Sequence, residues 1–209
     1  MKRLVTAAIL VSLVAASGPG ASASGYSPFD RTRVEWLQRY TQWLFGDPES
    51  SLLTGTCGEV VDGVFFLVPP SKPNKVQTIP CVVPAGMPIV LSHALHYCSR
   101  MEAPTDRALV ACAREGFPPS ASSVSLDGRR VDVATLRPGA FDVLSERKSL
   151  YDVAIGEGTG PVRTALAGEF TFLRPLERGE YALEVSADFR AGGGPTFDAV
   201  YVLTVYGLG

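Results

Sequence analysis

Ser122-Ser123-Val124-Ser125-Leu126-Asp127-Gly128-Arg129-Arg130-Val131-Asp132-Val133 decides the fold. Asp127-Gly128 supplies the positive φ angles of a tight turn, and Ser122 to Leu126 and Val131 to Val133 flank it as short strand-forming runs, so the stretch reads as a β-hairpin. Working outward, the same texture recurs: apolar runs rich in Val, Phe and Tyr, punctuated by Gly, Pro and Asp. Downstream it predicts strands near Phe141 to Leu144, Leu150 to Ile155 and Glu169 to Leu173, then Tyr181 to Val185 and Ala199 to Tyr206. Pro175 to Gly179 reads as a connection at a sheet edge. Upstream, Val64-Phe65-Phe66-Leu67-Val68 reads as a buried strand stopped by Pro69-Pro70, and Ser71 to Thr78 as an exposed loop. Two more strands flank Pro84-Ala85-Gly86, with Ile89-Val90-Leu91 leading into His93. Strands at this spacing, without regular intervening helices, predict a mainly β fold: an antiparallel β-sandwich or jelly-roll-like domain.

Two helices interrupt the pattern. Val34, Leu37, Tyr40 and Leu44 recur at helical spacing, with Asp30 placed as N-cap, predicting an N-terminal helix over about residues 30–45 that stops by Gly46-Asp47-Pro48. Trp36, Tyr40 and Trp43 form an aromatic stripe along it, read either as core or as a ligand platform. Thr105 to Glu115 predicts a second, short helix with Leu109 and Cys112 on its inner face.

Lys2-Arg3, the short apolar run Leu4 to Ala16 and the small residues Ala21-Ser22-Ala23 have the form of a signal peptide cleaved after residue 23. The run is interrupted at Ser12 and falls short of the ~20 apolar residues that span a bilayer, so no membrane span is expected after cleavage. Residues 24–209 then form a single β-rich domain, secreted to the periplasm or the exterior. That product carries 17 basic and 21 acidic residues. Such a mildly acidic balance, with basic residues scattered as Arg129-Arg130 and Arg147-Lys148, speaks against nucleic acid as a partner.

Four cysteines, Cys57, Cys81, Cys98 and Cys112, allow three pairings in an oxidising compartment, and sequence alone does not choose among them. Proximity favours Cys57 with Cys81 and Cys98 with Cys112, each bridge contributing ~3 kcal/mol. No C-x-x-C occurs, so a thiol nucleophile or a zinc site is not expected.

Several segments in order carry a resemblance: Trp36 and Trp43, Cys57-Gly58, Val64-Phe65-Phe66-Leu67, Cys81-Val82-Val83-Pro84-Ala85-Gly86, Cys98, Cys112, and Pro175-Leu176-Glu177-Arg178-Gly179-Glu180-Tyr181. The chain resembles an uncharacterised group of secreted bacterial proteins with this order of features. The resemblance implies one domain and the adjacent disulfide pairing, and brings no activity with it.

The only histidines, His93 and His96, fall in Ser92-His93-Ala94-Leu95-His96-Tyr97-Cys98. On a strand they point to opposite faces, which removes the shared geometry that metal ligation needs; no metal and no cofactor are expected. Gly-x-Ser-x-Gly is absent, so a hydrolase with Ser92 or another serine as nucleophile and either histidine as base has no motif behind it. Glu59, Asp62, Glu102 and Glu169 lie near strand ends, where paired acids for sugar chemistry would sit. Asp62-Gly63 and Asp127-Gly128 read as turns rather than calcium loops. Gly192-Gly193-Gly194-Pro195 reads as a hairpin tip and not a phosphate loop, because no helix follows it.

These readings favour a binding protein for a small molecule, a glycan or a protein partner, engaged by loops or by Trp36, Tyr40 and Trp43. The rivals are an enzyme, hydrolase or cyclase-like, with His93 or His96 as acid or base, and a structural envelope component.

Overall fold

The computed structural model describes residues 32–117, 121–190 and 193–207. The expected leader, Asp30 and Gly192 lie outside them. Among the described residues eleven strands form two sheets. In the first, β1 (Gly58–Val61), β2 (Val64–Leu67), β4 (Ile89–Ser99) and β9 (Gly160–Leu173) run side by side, and β7 (Ala134–Leu136) and β8 (Phe141–Ser145) both pair with β9. The second sheet has the order β3 (Val76–Pro84), β11 (Thr196–Tyr206), β10 (Gly179–Asp188), β5 (Ala121–Leu126), β6 (Arg129–Val131). The sandwich is present, but its sheets are mixed: β2 lies parallel to β4, and β3 parallel to β11.

The β5–β6 hairpin closes on Asp127 and Gly128 at φ 49° and 73°, the left-handed pair that its sequence demands. After β6 only Asp132 and Val133 intervene before the chain enters β7 and changes sheet. The 71–78 loop is shorter than expected, because β3 begins at Val76.

β2 is buried on both faces, which is why it reads as an unbroken apolar run. Phe65 and Leu67 face the second sheet with Ile89, Leu91, Leu183, Tyr201 and Leu203. Val64 and Phe66 face a helical layer on the other side. That layer is α1 (Arg33–Thr41), opened by a capping box between Thr32 and Glu35 rather than by Asp30, and continued by a π-helical turn over Gln42–Gly46. A four-residue helical turn, α2 (Ser51–Thr54), follows.

Leu150 to Ile155, expected as a strand, is a second π-helical turn over Tyr151–Ile155 that ends on left-handed Gly156. A short apolar run does not distinguish strand from buried turn by periodicity. Here Tyr151 is drawn under the helical layer, its ring stacked 5.3 Å from Phe45.

Both disulfides join layers in the adjacent pairing. Cys57–Cys81 ties the first sheet to the second, and Cys98–Cys112 ties β4 to α3 (Asp106–Gly116). Thr105 caps α3, and Asp106 pins its start to Arg100 and Arg163.

β2 ends inside the protein, so its last carbonyls need partners away from water. Tyr40 donates its hydroxyl to the Leu67 carbonyl at 2.6 Å, and Tyr201, from the opposite layer, donates to Val68 at 2.5 Å. Burial first, and then the neighbouring Tyr201, holds the Tyr40 hydroxyl well above the ordinary phenol range, so it remains a donor. Tyr201→Phe is expected to cost about 1–3 kcal/mol, because it leaves a buried carbonyl unpaired. Urea unfolding reads this, and a loss below about 0.5 kcal/mol would mean that water reaches Val68.

Candidate functional site

β2 pairs with β4 only from Phe65 to Leu67, opposite Ile89 to Leu91. Beyond that point, no strand among the described residues covers this edge of β4. Just past it the strand bulges: Ser92 pairs with Phe170 and Ala94 with Glu169, leaving His93 as the extra residue. A bulge re-aims side chains. His93 and Ala94 are both buried, as is the whole run of β4 from Ile89.

The uncovered edge opens into an apolar cleft of about 260 Å3. Its walls include Phe45 from the first π-helical turn, Leu52 from α2, Pro70 after β2, His93 from the bulge, and Phe197 from β11. His93 is 3% exposed, with Nε2 3.4 Å from the Thr171 hydroxyl. Its Nδ1 is buried with no hydrogen-bond partner among the described residues. Ser50, Ser51 and Glu157 also hold an unpaired buried oxygen, but none of them lines the cleft. Burial alone lowers the His93 pKa to about 4, so the imidazole is neutral at pH 7.

A larger groove of about 560 Å3 crosses the outer face of the second sheet and is open to solvent. Two pairs of its polar groups satisfy one another: Ser125 donates to Glu184 at 2.9 Å and Ser186 to Asp198 at 2.6 Å. Among the described residues, no buried side-chain polar atom without a partner lines it, unlike the cleft.

The structure separates the residues that the sequence singled out. Trp36, Tyr40 and Trp43 are 3%, 1% and 2% exposed and lie in the core, one of the two readings of the stripe. The three rings pack around Phe66 at centroid distances of 5.3 to 6.2 Å, because the helix lays this stripe on the first sheet. Glu59 accepts the Trp43 indole N–H at 3.0 Å, and Asp62 pairs with Arg39. Glu102 accepts from the Ser99 backbone and hydroxyl, and Glu169 from the Ser122 hydroxyl. Each of these acids thus has a different partner.

His96, half-buried, stands with its Nε2 3.6 Å from the Cys98 sulfur. Burial lowers its pKa, and Glu102 partly offsets this. Neither imidazole donates to a carboxylate among the described residues, and the Ser92 hydroxyl turns to the Ala94 carbonyl instead.

Sequence reading missed the bulge and the aromatic wall supplied by Phe197. The sequence carries no sign of the bulge, because β4 is buried on both faces from Ile89 to Ala94 and so shows no alternation for it to break.

No protein-family model and no curated protein matches the sequence. A solved structure of PbICP-C in complex with falcipain-2 overlays with a TM-score of 0.28 and 9% identity, over 68% of this chain and 98% of that one. So low a score carries no argument about fold, partner or function.

Proposed function

We propose that the chain is a secreted, disulfide-stapled binding module whose site is the cleft at the open edge of β4. The ligand is a small, largely apolar molecule with one hydrogen-bonding group. The observation that carries this reading is the unpaired Nδ1 of His93: an apolar cleft with one unmet polar atom is complementary to an amphiphile. The cleft is smaller than the roughly 300–1,000 Å3 of drug-sized sites, which limits the ligand to a few carbon units or one ring. Two disulfides and a leader-like N-terminal stretch support secretion. Among the described residues no helix is long and apolar enough to cross a membrane.

Catalysis is the weaker reading, because a histidine that titrates near pH 4 with no carboxylate to orient it is a poor acid or base at neutral pH. Calorimetry with phenol and with toluene tests the binding reading. Phenol is expected to bind the wild type more tightly, and His93→Leu is expected to weaken phenol by about 2- to 12-fold, the worth of one hydrogen bond, while sparing toluene. Leu52→Trp, which fills the half-buried wall, should abolish both. Absence of binding by either compound, or binding indifferent to Leu52→Trp, removes the cleft as the site.

A further inference from the structure

We infer that His96, Cys98 and Cys112 form a redox-gated site for Zn2+, closed while the disulfide stands and opened by its reduction. The site is separate from the cleft and does not depend on it. β4 places His96 and Cys98 two residues apart on one face, and α3 brings Cys112 against them. Their donor atoms all lie within 4.8 Å of one another, and no other His, Cys, Asp or Glu group among the described residues has this spacing.

One of the three separations already suits a tetrahedral ion, while the two sulfurs, bonded to each other, must move apart on reduction. Bonds of about 2.3 Å to sulfur and about 2.0 Å to nitrogen place the two ligand atoms about 3.5 Å apart, and His96 Nε2 stands 3.6 Å from Cys98 Sγ. Two thiolates on one zinc sit about 3.8 Å apart. Side-chain rotation reaches that separation from Cα atoms 6.1 Å apart.

Gly116 admits the ring. A Cβ at that position would meet His96 Nε2 at 2.1 Å and the rest of the ring edge below 3 Å. Its backbone is not left-handed, so glycine serves here for space rather than for conformation. Cys98 is buried while Cys112 and His96 are half-buried, so a reductant meets Cys112 first.

The chemistry balances with a dithiol as reductant. Its thiolate attacks the Cys112 sulfur, the S–S bond breaks, and two electrons and two protons end on Cys98 and Cys112 as thiols while the dithiol departs as its own disulfide. Zn2+ then displaces both thiol protons to solvent and takes the imidazole nitrogen, with water as fourth ligand.

The test titrates Co2+, as a spectroscopic substitute for zinc, into the full chain before and after reduction with a trialkylphosphine. The reduced chain is expected to bind one equivalent with thiolate-to-cobalt charge transfer and tetrahedral d–d bands, and the oxidised chain none. His96→Gln should weaken binding at least about tenfold, no less than loss of an outer-shell partner costs, and Cys98→Ser should remove the charge-transfer band's two-thiolate intensity. Absence of these bands in a reduced chain that keeps its fold, or equal binding by the oxidised form, overturns the proposal. So does binding unaffected by His96→Gln, which would place the ion at Cys57 and Cys81. If reduction unfolds the chain, one equivalent of Zn2+ should restore its near-ultraviolet circular dichroism in the wild type and not in His96→Gln. Failure to restore it overturns the proposal equally.

Discussion

Phe66→Ala is expected to lower the unfolding free energy by about 3–5 kcal/mol, the range for deleting a large aromatic side chain from a packed core. Phe66 is fully buried at the centre of β2. It holds Trp36, Tyr40 and Trp43 against the first sheet through tilted and edge-on ring contacts. Its removal strips one wall from three rings at once, and the helix backbone has little room to collapse, because Tyr40 is also tied to Leu67 by its hydroxyl. Against a total stability of about 5–15 kcal/mol, such a loss leaves the variant marginal. Urea denaturation followed by tryptophan fluorescence measures it. A loss below about 1.5 kcal/mol would show that the helical layer contributes little to the core.

The second large effect is a pH dependence that belongs to His93. The folded imidazole titrates near pH 4, while in the unfolded chain it returns to its ordinary 6.5. As acid is added, the unfolded chain therefore binds the proton first. The stability contribution is whole above pH 6.5 and is lost as pH falls towards 4. A difference of this size amounts to about 3 kcal/mol across the window. Carboxylates titrate in the lower part of the same range, so the informative quantity is the difference between wild type and His93→Leu. The variant should lack this component and lose correspondingly less stability between pH 7 and pH 4. Parallel stability–pH curves for the two proteins would mean that His93 accepts its proton in the folded state without penalty.

Much of the β architecture is legible in the residues because it rests on local rules. Asp127-Gly128 admits few backbone shapes other than the turn it makes, and the run Val64 to Leu67 can only be buried on both faces. The pairing of Cys57 with Cys81 and of Cys98 with Cys112, favoured by proximity, is the one the structure adopts. The parallel pairings were not legible, since the direction of a neighbouring strand leaves no mark on a strand's own side chains. Leu150 to Ile155 has the composition of a strand and becomes a π-helical turn because Tyr151 is recruited by Phe45, a contact between residues more than a hundred positions apart.

The candidate site divides the same way. By itself the sequence determined which residues carry chemistry: two histidines beside a cysteine on β4, and an aromatic helix whose spacing suits burial. Only the tertiary structure decided their fates, because β2 stops at Leu67 and a bulge intervenes at His93. Those two events sink one imidazole into an apolar cleft, while α3 sets the other against a disulfide, and both depend on packing between segments whose separation in the chain no local pattern encodes.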